Sequence, residues 1–166
     1  MKRLLPLLLL LAFTPILRAQ ARLAVYGTIG TENSGLDNEG WSKAGTVGLY
    51  HDFSSHGPIS LAIDARLDLS TNVNSGLIGP RLAVHFPVLP IKPYAELLVG
   101  GTYYRTATHT SKDSSDLAYR WVGGIDTAIL PHVDWRILDF SYGGGLTVLN
   151  KTIHMKTLST GIVLRF

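Results

Sequence analysis

The stretch that decides the fold is Ile59-Ser-Leu-Ala-Ile-Asp-Ala-Arg-Leu-Asp-Leu-Ser70. Successive side chains of an extended chain point to opposite faces, so Ile59, Leu61, Ile63, Ala65, Leu67 and Leu69 share one face. Ser60, Ala62, Asp64, Arg66, Asp68 and Ser70 share the other. An ordinary globular strand runs about 5–6 residues, whereas a tilted strand crossing a bilayer needs ~9–11. The length of this alternation therefore favours a strand with lipid on its apolar side over one in a sandwich.

With that stretch as a ruler, the chain divides into eight strands near Leu23 to Gly30, Lys43 to Phe53, Ile59 to Ser70, Leu77 to Phe86, Pro93 to Arg105, Leu117 to Ile129, Val133 to Gly143 and Thr157 to Phe166. Three connections are short (Ser54 to Pro58, Pro87 to Lys92, Leu130 to His132) and three are long (Thr31 to Ser42, Thr106 to Asp116, Gly144 to Lys156). Thr71 to Gly76 is a compact connection on the long-loop side. Alternation of short turns and long loops with an even strand count is the pattern of a bacterial transmembrane barrel with periplasmic turns and external loops. The expected fold is all-β: an eight-stranded antiparallel up-and-down transmembrane β-barrel.

Aromatic residues fall into two groups, as rings that are apolar at one end and wet at the other gather at membrane boundaries. Phe53, Phe86, Tyr94, Trp135 and Phe166 lie beside the short turns; Trp41, Tyr103, Tyr104, Tyr119, Trp121 and Tyr142 lie toward the long loops. Tyr26 and Tyr50 fit neither girdle well, and Tyr26 has the inward parity of Ala24 and Thr28.

The same parity sends Asp64, Arg66, Asp68, Arg81, His85, Glu96, Arg120, Asp126, Arg136, Asp139 and Arg165 to the interior. Charges in a narrow barrel must pair, and Arg suits this through its planar fork of donors. Alternation breaks in the seventh strand, where Trp135 and Ile137 share one phase and Leu138 and Phe140 the other. A β-bulge near Ile137 and Leu138 would keep Arg136 and Asp139 inside while both apolar sets face lipid. The sixth strand has mixed parity, since Val122 and Ala128 share the face of Arg120 and Asp126.

Residues Met1 to Ala21 have a basic start at Lys2 and Arg3, an apolar run to Leu17 and the small-residue pattern Ala19-Gln20-Ala21. They read as a cleaved signal peptide, leaving 22–166 as the barrel. Removing Lys2, Arg3 and Arg18 brings the 15 basic residues level with the 12 acidic ones. The net charge of +3 thus belongs to the leader and gives no support for nucleic-acid binding. Cysteine is absent, so no disulfide supports the exported chain and no lipid can be attached through one.

The tail from Leu158 to Phe166 resembles the C-terminal β-signal of outer-membrane proteins, with Ile162, Leu164 and Phe166 at alternate positions and Thr160 as a less apolar member. That resemblance implies the barrel-assembly machinery as a partner. More broadly the chain resembles the OmpA/OmpX-like eight-stranded outer-membrane barrels, with Lys92-Pro-Tyr-Ala-Glu-Leu-Leu-Val-Gly-Gly101 and Val133-Asp-Trp-Arg136 among its segments. It departs from OmpA in ending at Phe166, so a peptidoglycan tether is not implied. The resemblance places the chain in the outer membrane, in contact with lipopolysaccharide, as a monomer.

His109-Thr-Ser111 matches the His-x-Ser pair of barrel lipid A deacylases. Such a mechanism needs a carboxylate such as Asp113 or Asp116 to orient the His. The tripeptide sits in a loop rich in Thr, Ser and Asp, and no acid stands at a diagnostic spacing. The other His residues, His51, His56, His85, His132 and His154, show no metal-ligand spacing, and Gly143-Gly-Gly145 opens no helix that could cradle phosphate. The expectation is a non-enzymatic barrel without cofactor or metal, acting structurally or through its external loops, on which Lys151, His154 and Lys156 could meet lipopolysaccharide phosphates. A narrow ion channel and a lipid A hydrolase are the alternatives.

Overall fold

The computed structural model describes residues 22–33, 35, 40–71, 73–104, 114–145 and 154–166. The segments carrying His109, Ser111, Asp113 and Lys151, and positions 1–21, lie outside them. Eight strands run in chain order: β1 (Leu23–Asn33), β2 (Ser42–His56), β3 (Ile59–Ser70), β4 (Val73–Val84), β5 (Ile91–Tyr104), β6 (Ser114–Leu130), β7 (Val133–Gly145) and β8 (His154–Arg165). Each pairs antiparallel with its neighbours, and β1 closes on β8 with Ala24 opposite Arg165. Closure satisfies the strand edges that a membrane could not hydrate.

β3 has the bounds its alternation predicts. Other strands overrun their expected ends. β4 begins at Val73, so only positions 71 and 72 separate it from β3 where a connection through Gly76 was expected. Ladder pairing continues past the apolar band wherever two strands stay side by side: Val73 pairs with Tyr104, and Asn33 with Lys156. Two turns close tightly at the opposite end. Gly57 adopts φ 59° in the His56–Ile59 turn, and His132 adopts φ 67° in the Leu130–Val133 turn. A non-glycine residue in this left-handed region needs support. The Arg165 amide donates to the His132 carbonyl at 2.8 Å, and the His132 ring Nδ1 meets the Arg165 carbonyl at 3.2 Å.

The expected bulge is present. Ile137 and Leu138 are both exposed between buried Arg136 and Asp139, and the ladders to β6 and β8 both shift register there. Thr160, opposite the bulge, donates its hydroxyl to the Arg136 carbonyl at 2.8 Å.

Burial is inverted relative to a water-soluble protein. Val47, Leu49, Leu61, Ile63, Leu67, Ile78, Val99, Trp121, Phe140 and Ile162 are exposed on the outside, while Asp64, Arg66, Arg81, Glu96, Arg120, Asp126 and Arg136 are almost wholly buried inside. An apolar exterior and an ionic interior suit lipid outside and protein within. Small apolar patches fill the lumen between the charges. Leu77, Ala83, Tyr94, Leu98, Ala118 and Val122 form one of them, which accounts for the mixed parity of β6.

Candidate functional site

The interior is the chemically distinctive region, and it is arranged in three layers. In the middle layer β3 supplies Asp64 and Arg66, β4 Arg81, β5 Glu96, β6 Asp126, and β7 Arg136 and Asp139. Arg81 places Nη1 2.7 Å from Glu96 Oε1 and Nη2 2.9 Å from Asp126 Oδ2. Arg136 reaches the other oxygen of Asp126 through Nε at 2.9 Å and Asp139 Oδ2 at 3.2 Å. Arg66 pairs with Glu96, with Asp64 at 3.4 Å and with Asp139 at 3.5 Å. Three guanidiniums thus hold four carboxylates, and Asp64 Oδ2 has no hydrogen-bond partner among the described residues.

Three tyrosines are built into this layer. The Arg81 guanidinium lies 3.8 Å from the ring centre of Tyr94 and 4.3 Å from that of Tyr50. Arg136 lies 4.1 Å from Tyr26 and 4.6 Å from Tyr94. Ring faces attract cations electrostatically, and more so where water is excluded. The same rings keep their hydroxyls in the polar network: Tyr26 donates to Asp64 Oδ1 at 2.9 Å, and Tyr94 to Asp139 Oδ2 at 2.6 Å.

The loop-end layer centres on Arg120. It lies 3.6 Å from both Glu32 and Asp68 and donates to the hydroxyls of Thr157 at 3.1 Å and Ser141 at 3.3 Å. Thr46 donates to Asp68 at 2.8 Å, and Ser70 to Glu32 at 2.9 Å. At the turn end Asp134 accepts Lys92 at 2.8 Å and lies 2.6 Å from Arg165 Nε. Beneath it a mouth cavity of about 280 Å³ is lined by Arg22, Asp52, Ser60, His85 and Arg165 among others. Partial burial, followed by the positive charges of Arg165 and Lys92, holds the His85 imidazole below its usual pKa.

Most of the residues that parity sends inward meet in these layers, with two qualifications. His85 stands half-buried at the mouth, away from the central network, because it lies beyond the end of β4. Arg165 is partly exposed at the same mouth. Tyr94 is a correction: it is only 5% exposed and belongs to the core, not to a girdle. It pairs with Ala83 and Gly124, which places it on the inward face of β5 with Glu96 and Leu98. Phe53, Phe86, Trp135 and Phe166 are exposed near the turns as a girdle requires. Sequence reasoning missed Glu32, because β1 was ended too early, and Asp134, although the parity of Arg136 would have included it.

Ile162, Leu164 and Phe166 are exposed on the outside of the closing strand region. Asp116 lies in β6 opposite Thr102. Among the described residues no group of three or more His, Cys, Asp or Glu is placed to hold a metal ion. The interior carboxylates face guanidiniums instead.

Fold and interior define an eight-stranded transmembrane β-barrel filled by an ionic and aromatic core. No protein-family model matches the chain, and no curated protein does. Solved structures of the same architecture do match. Neisserial surface protein A aligns with 18% identity over 87% of this chain and 96% of its own, with a TM-score of 0.57. The N-terminal β-barrel domain of Pseudomonas aeruginosa OprF aligns with 12% identity over 85% and 97%, with a TM-score of 0.53. The outer-membrane enzyme PagL aligns with 12% identity over 86% and 99%, with a TM-score of 0.58. At such identities the likeness is one of fold.

Proposed function

We propose that this protein is a non-enzymatic bacterial outer-membrane barrel that acts as a closed scaffold, holding its long loops at the outer surface. The observation that carries the reading is the middle layer. Arg81 between Tyr50 and Tyr94, and Arg136 between Tyr26 and Tyr94, fill the lumen with fully buried, mutually paired side chains. An open water path would have to break several of these ion pairs, each costly to leave unpaired. Eight strands give a lumen that side chains can fill, unlike the wide barrels of diffusion porins.

Function on such a scaffold resides in its loops. The leader would direct export and be cleaved in the process, and the terminal Ile162, Leu164 and Phe166 would engage the barrel-assembly machinery. The finished barrel would stand as a monomer among outer-membrane lipids.

Planar-bilayer recording tests the central claim. A refolded barrel giving no steady single-channel conductance in molar salt is the expected result. Discrete ohmic steps from wild-type barrel that shows heat-shifted migration would overturn it in favour of a narrow channel. Mass spectrometry of lipid A from expressing cells tests the non-enzymatic part, which expects an unchanged acyl pattern; loss of an acyl chain would make the protein a hydrolase.

A further inference from the structure

Charged side chains are partitioned unequally between the two faces of the barrel wall. Every strand carboxylate whose side chain is described lies in the interior layers or at the turn-end mouth. The described arginines and Lys92 are in the same places. Two lysines stand apart. Lys43 on β2 and Lys156 on β8 are exposed on the outward face, both close to the loop end. Among the described residues neither meets a carboxylate or any other polar partner.

The register shows how the two relate. Lys156 pairs with Asn33 of β1, and Lys43 pairs with Thr31 of the same strand. They therefore flank β1, two strand spacings or about 10 Å apart across the sheet and one same-face step of about 7 Å along it. Flexible four-carbon stems let both ammoniums reach toward the membrane boundary and toward one another.

On the other side of Lys156 the ladder continues through Tyr142 to Trp121, so the cation sits in the row of the aromatic girdle. His154 stacks on Tyr142 with ring centres 5.8 Å apart and planes 6° from parallel, and its Nδ1 lies 3.2 Å from the phenol oxygen. The stack forms a flat polar wall beside Lys156.

We infer that Lys43 and Lys156, with the Tyr142–His154 stack, form a lipid-facing site for a glycolipid carrying more than one phosphate. The inference rests on the outer-membrane placement proposed above, since it takes the ligand from the leaflet at the loop end. Near the boundary an outward lysine costs little, and the stems carry both ammoniums to headgroup level, where the wall offers them no carboxylate among its described residues. Headgroup phosphate is an anion within reach of both stems at that level. Charge-assisted bonds from Lys to phosphate oxygen are strong, and two cations about 12 Å apart suit two phosphates on one headgroup better than a single phosphodiester. The turn-end half of the wall shows no outward Lys or Arg among the described strand residues, so the preference belongs to one leaflet only.

Native mass spectrometry of the refolded barrel in detergent, titrated with bisphosphorylated lipid A, dephosphorylated lipid A or phosphatidylglycerol, tests the site. Wild type should retain bisphosphorylated lipid A at least about tenfold better than either of the others, and the Lys43→Gln/Lys156→Gln double variant should lose that preference. The Lys43→Arg/Lys156→Arg variant should keep it. Equal retention by the Gln variant, or of the dephosphorylated lipid, would overturn the inference. Phosphatidylglycerol bound as tightly would also overturn it, by making an ordinary phospholipid the partner. Heat-shifted migration of unboiled protein is scored on each sample, so a chain that never forms a barrel refutes the placement and not the site alone.

Discussion

Tyr94 lies directly across the β5–β6 ladder from Gly124, and its phenol occupies the space that a side chain on Gly124 would need. Tyr26 stands in the same relation to Gly48 across β1 and β2. Each ring folds over a glycine on the adjacent strand, which lets it lie along the wall and face an arginine. The glycines are thus part of the interior layer, although they carry no charge.

Gly124→Val should crowd the Leu138 carbonyl of β7 and push the Tyr94 ring off its seat, breaking its hydrogen bond to Asp139 and its contacts with Arg81 and Arg136. A loss of about 2–4 kcal/mol is expected from overpacking together with a lost charged hydrogen bond. Tyr94→Phe keeps the ring and loses only the hydroxyl, so about 1–2 kcal/mol should go. Equilibrium urea unfolding in lipid vesicles checks both; a Gly124→Val barrel as stable as wild type would show that the ring has another place to go.

The four carboxylates of the middle layer are not equivalent. Asp126 holds two arginines, Arg81 on Oδ2 at 2.9 Å and Arg136 on Oδ1 at 2.9 Å with a longer reach to Oδ2 at 3.4 Å, so Asp126→Asn leaves each short of a counter-charge, at a cost of about 3–5 kcal/mol. Asp64 accepts from Tyr26 and, at 3.4 Å, from Arg66 through the same oxygen, and its other oxygen is unpartnered. Asp64→Asn keeps that accepting oxygen and removes one charge from the acid-rich side, so the change should stay within about 1 kcal/mol. The same unfolding assay ranks them, and a larger loss for Asp64→Asn would contradict the asymmetry.

Much of this interior is legible in the sequence because period-two alternation is strict wherever one face of a strand meets lipid. Asp64, Arg66 and Asp68 could be placed from β3 alone, and the bulge followed from the conflict between Trp135-x-Ile137 and Leu138-x-Phe140. What escaped did so for physical reasons. Tyr94 sits at a strand end, where an aromatic suits a girdle as well as a core, and only parity with Glu96 distinguishes the two. Glu32 lies where β1 runs beyond the apolar band, past the last residue that hydropathy can mark. The seating of Tyr94 on Gly124 is a cross-strand relation, and it needs the register that no single strand contains.

At the turn-end mouth His85 is faced by Arg165, Arg22 and Asp52 across the cavity, with Lys92 and Asp134 behind. Its pKa is lowered in the folded state, so the unfolded chain binds the proton more readily and stability rises with pH across this window. The contribution is fully present above about 6.5 and declines as pH falls from there through the lower folded value. His85→Gln should flatten the stability profile between pH 7 and 5 relative to wild type. Parallel profiles for the two proteins would assign the dependence to other groups.

Phe166 is two-thirds exposed, and its amide donates to the Leu23 carbonyl at 2.8 Å. Deleting it removes two backbone bonds at the β1–β8 seam, this one and the longer bond from the Leu23 amide to the Phe166 carbonyl at 3.4 Å, and leaves the interior layers intact. Purified truncated protein should therefore refold to a barrel of nearly wild-type stability, while assembly in cells slows. Normal insertion kinetics in pulse-labelled cells would remove the proposed assembly role of the terminus.

The bulge in β7 provides a test of register. Deleting Ile137 would leave Arg136 inward, Leu138 outward and Asp139 inward, which restores plain alternation and removes the residue that neither ladder pairs. Arg136 would stay near Asp126 and Asp139 near Tyr94. Deleting Leu67 from β3 has the opposite consequence, because a one-residue slip turns every later side chain to the other face. Asp68 would then meet lipid and Leu69 the ionic core. Heat-shifted migration after refolding should persist for the Ile137 deletion, with a modest loss in urea, and vanish for the Leu67 deletion. If the Ile137 deletion also fails to fold, the bulge itself, through its Thr160 contact, is required to hold the β7–β8 seam.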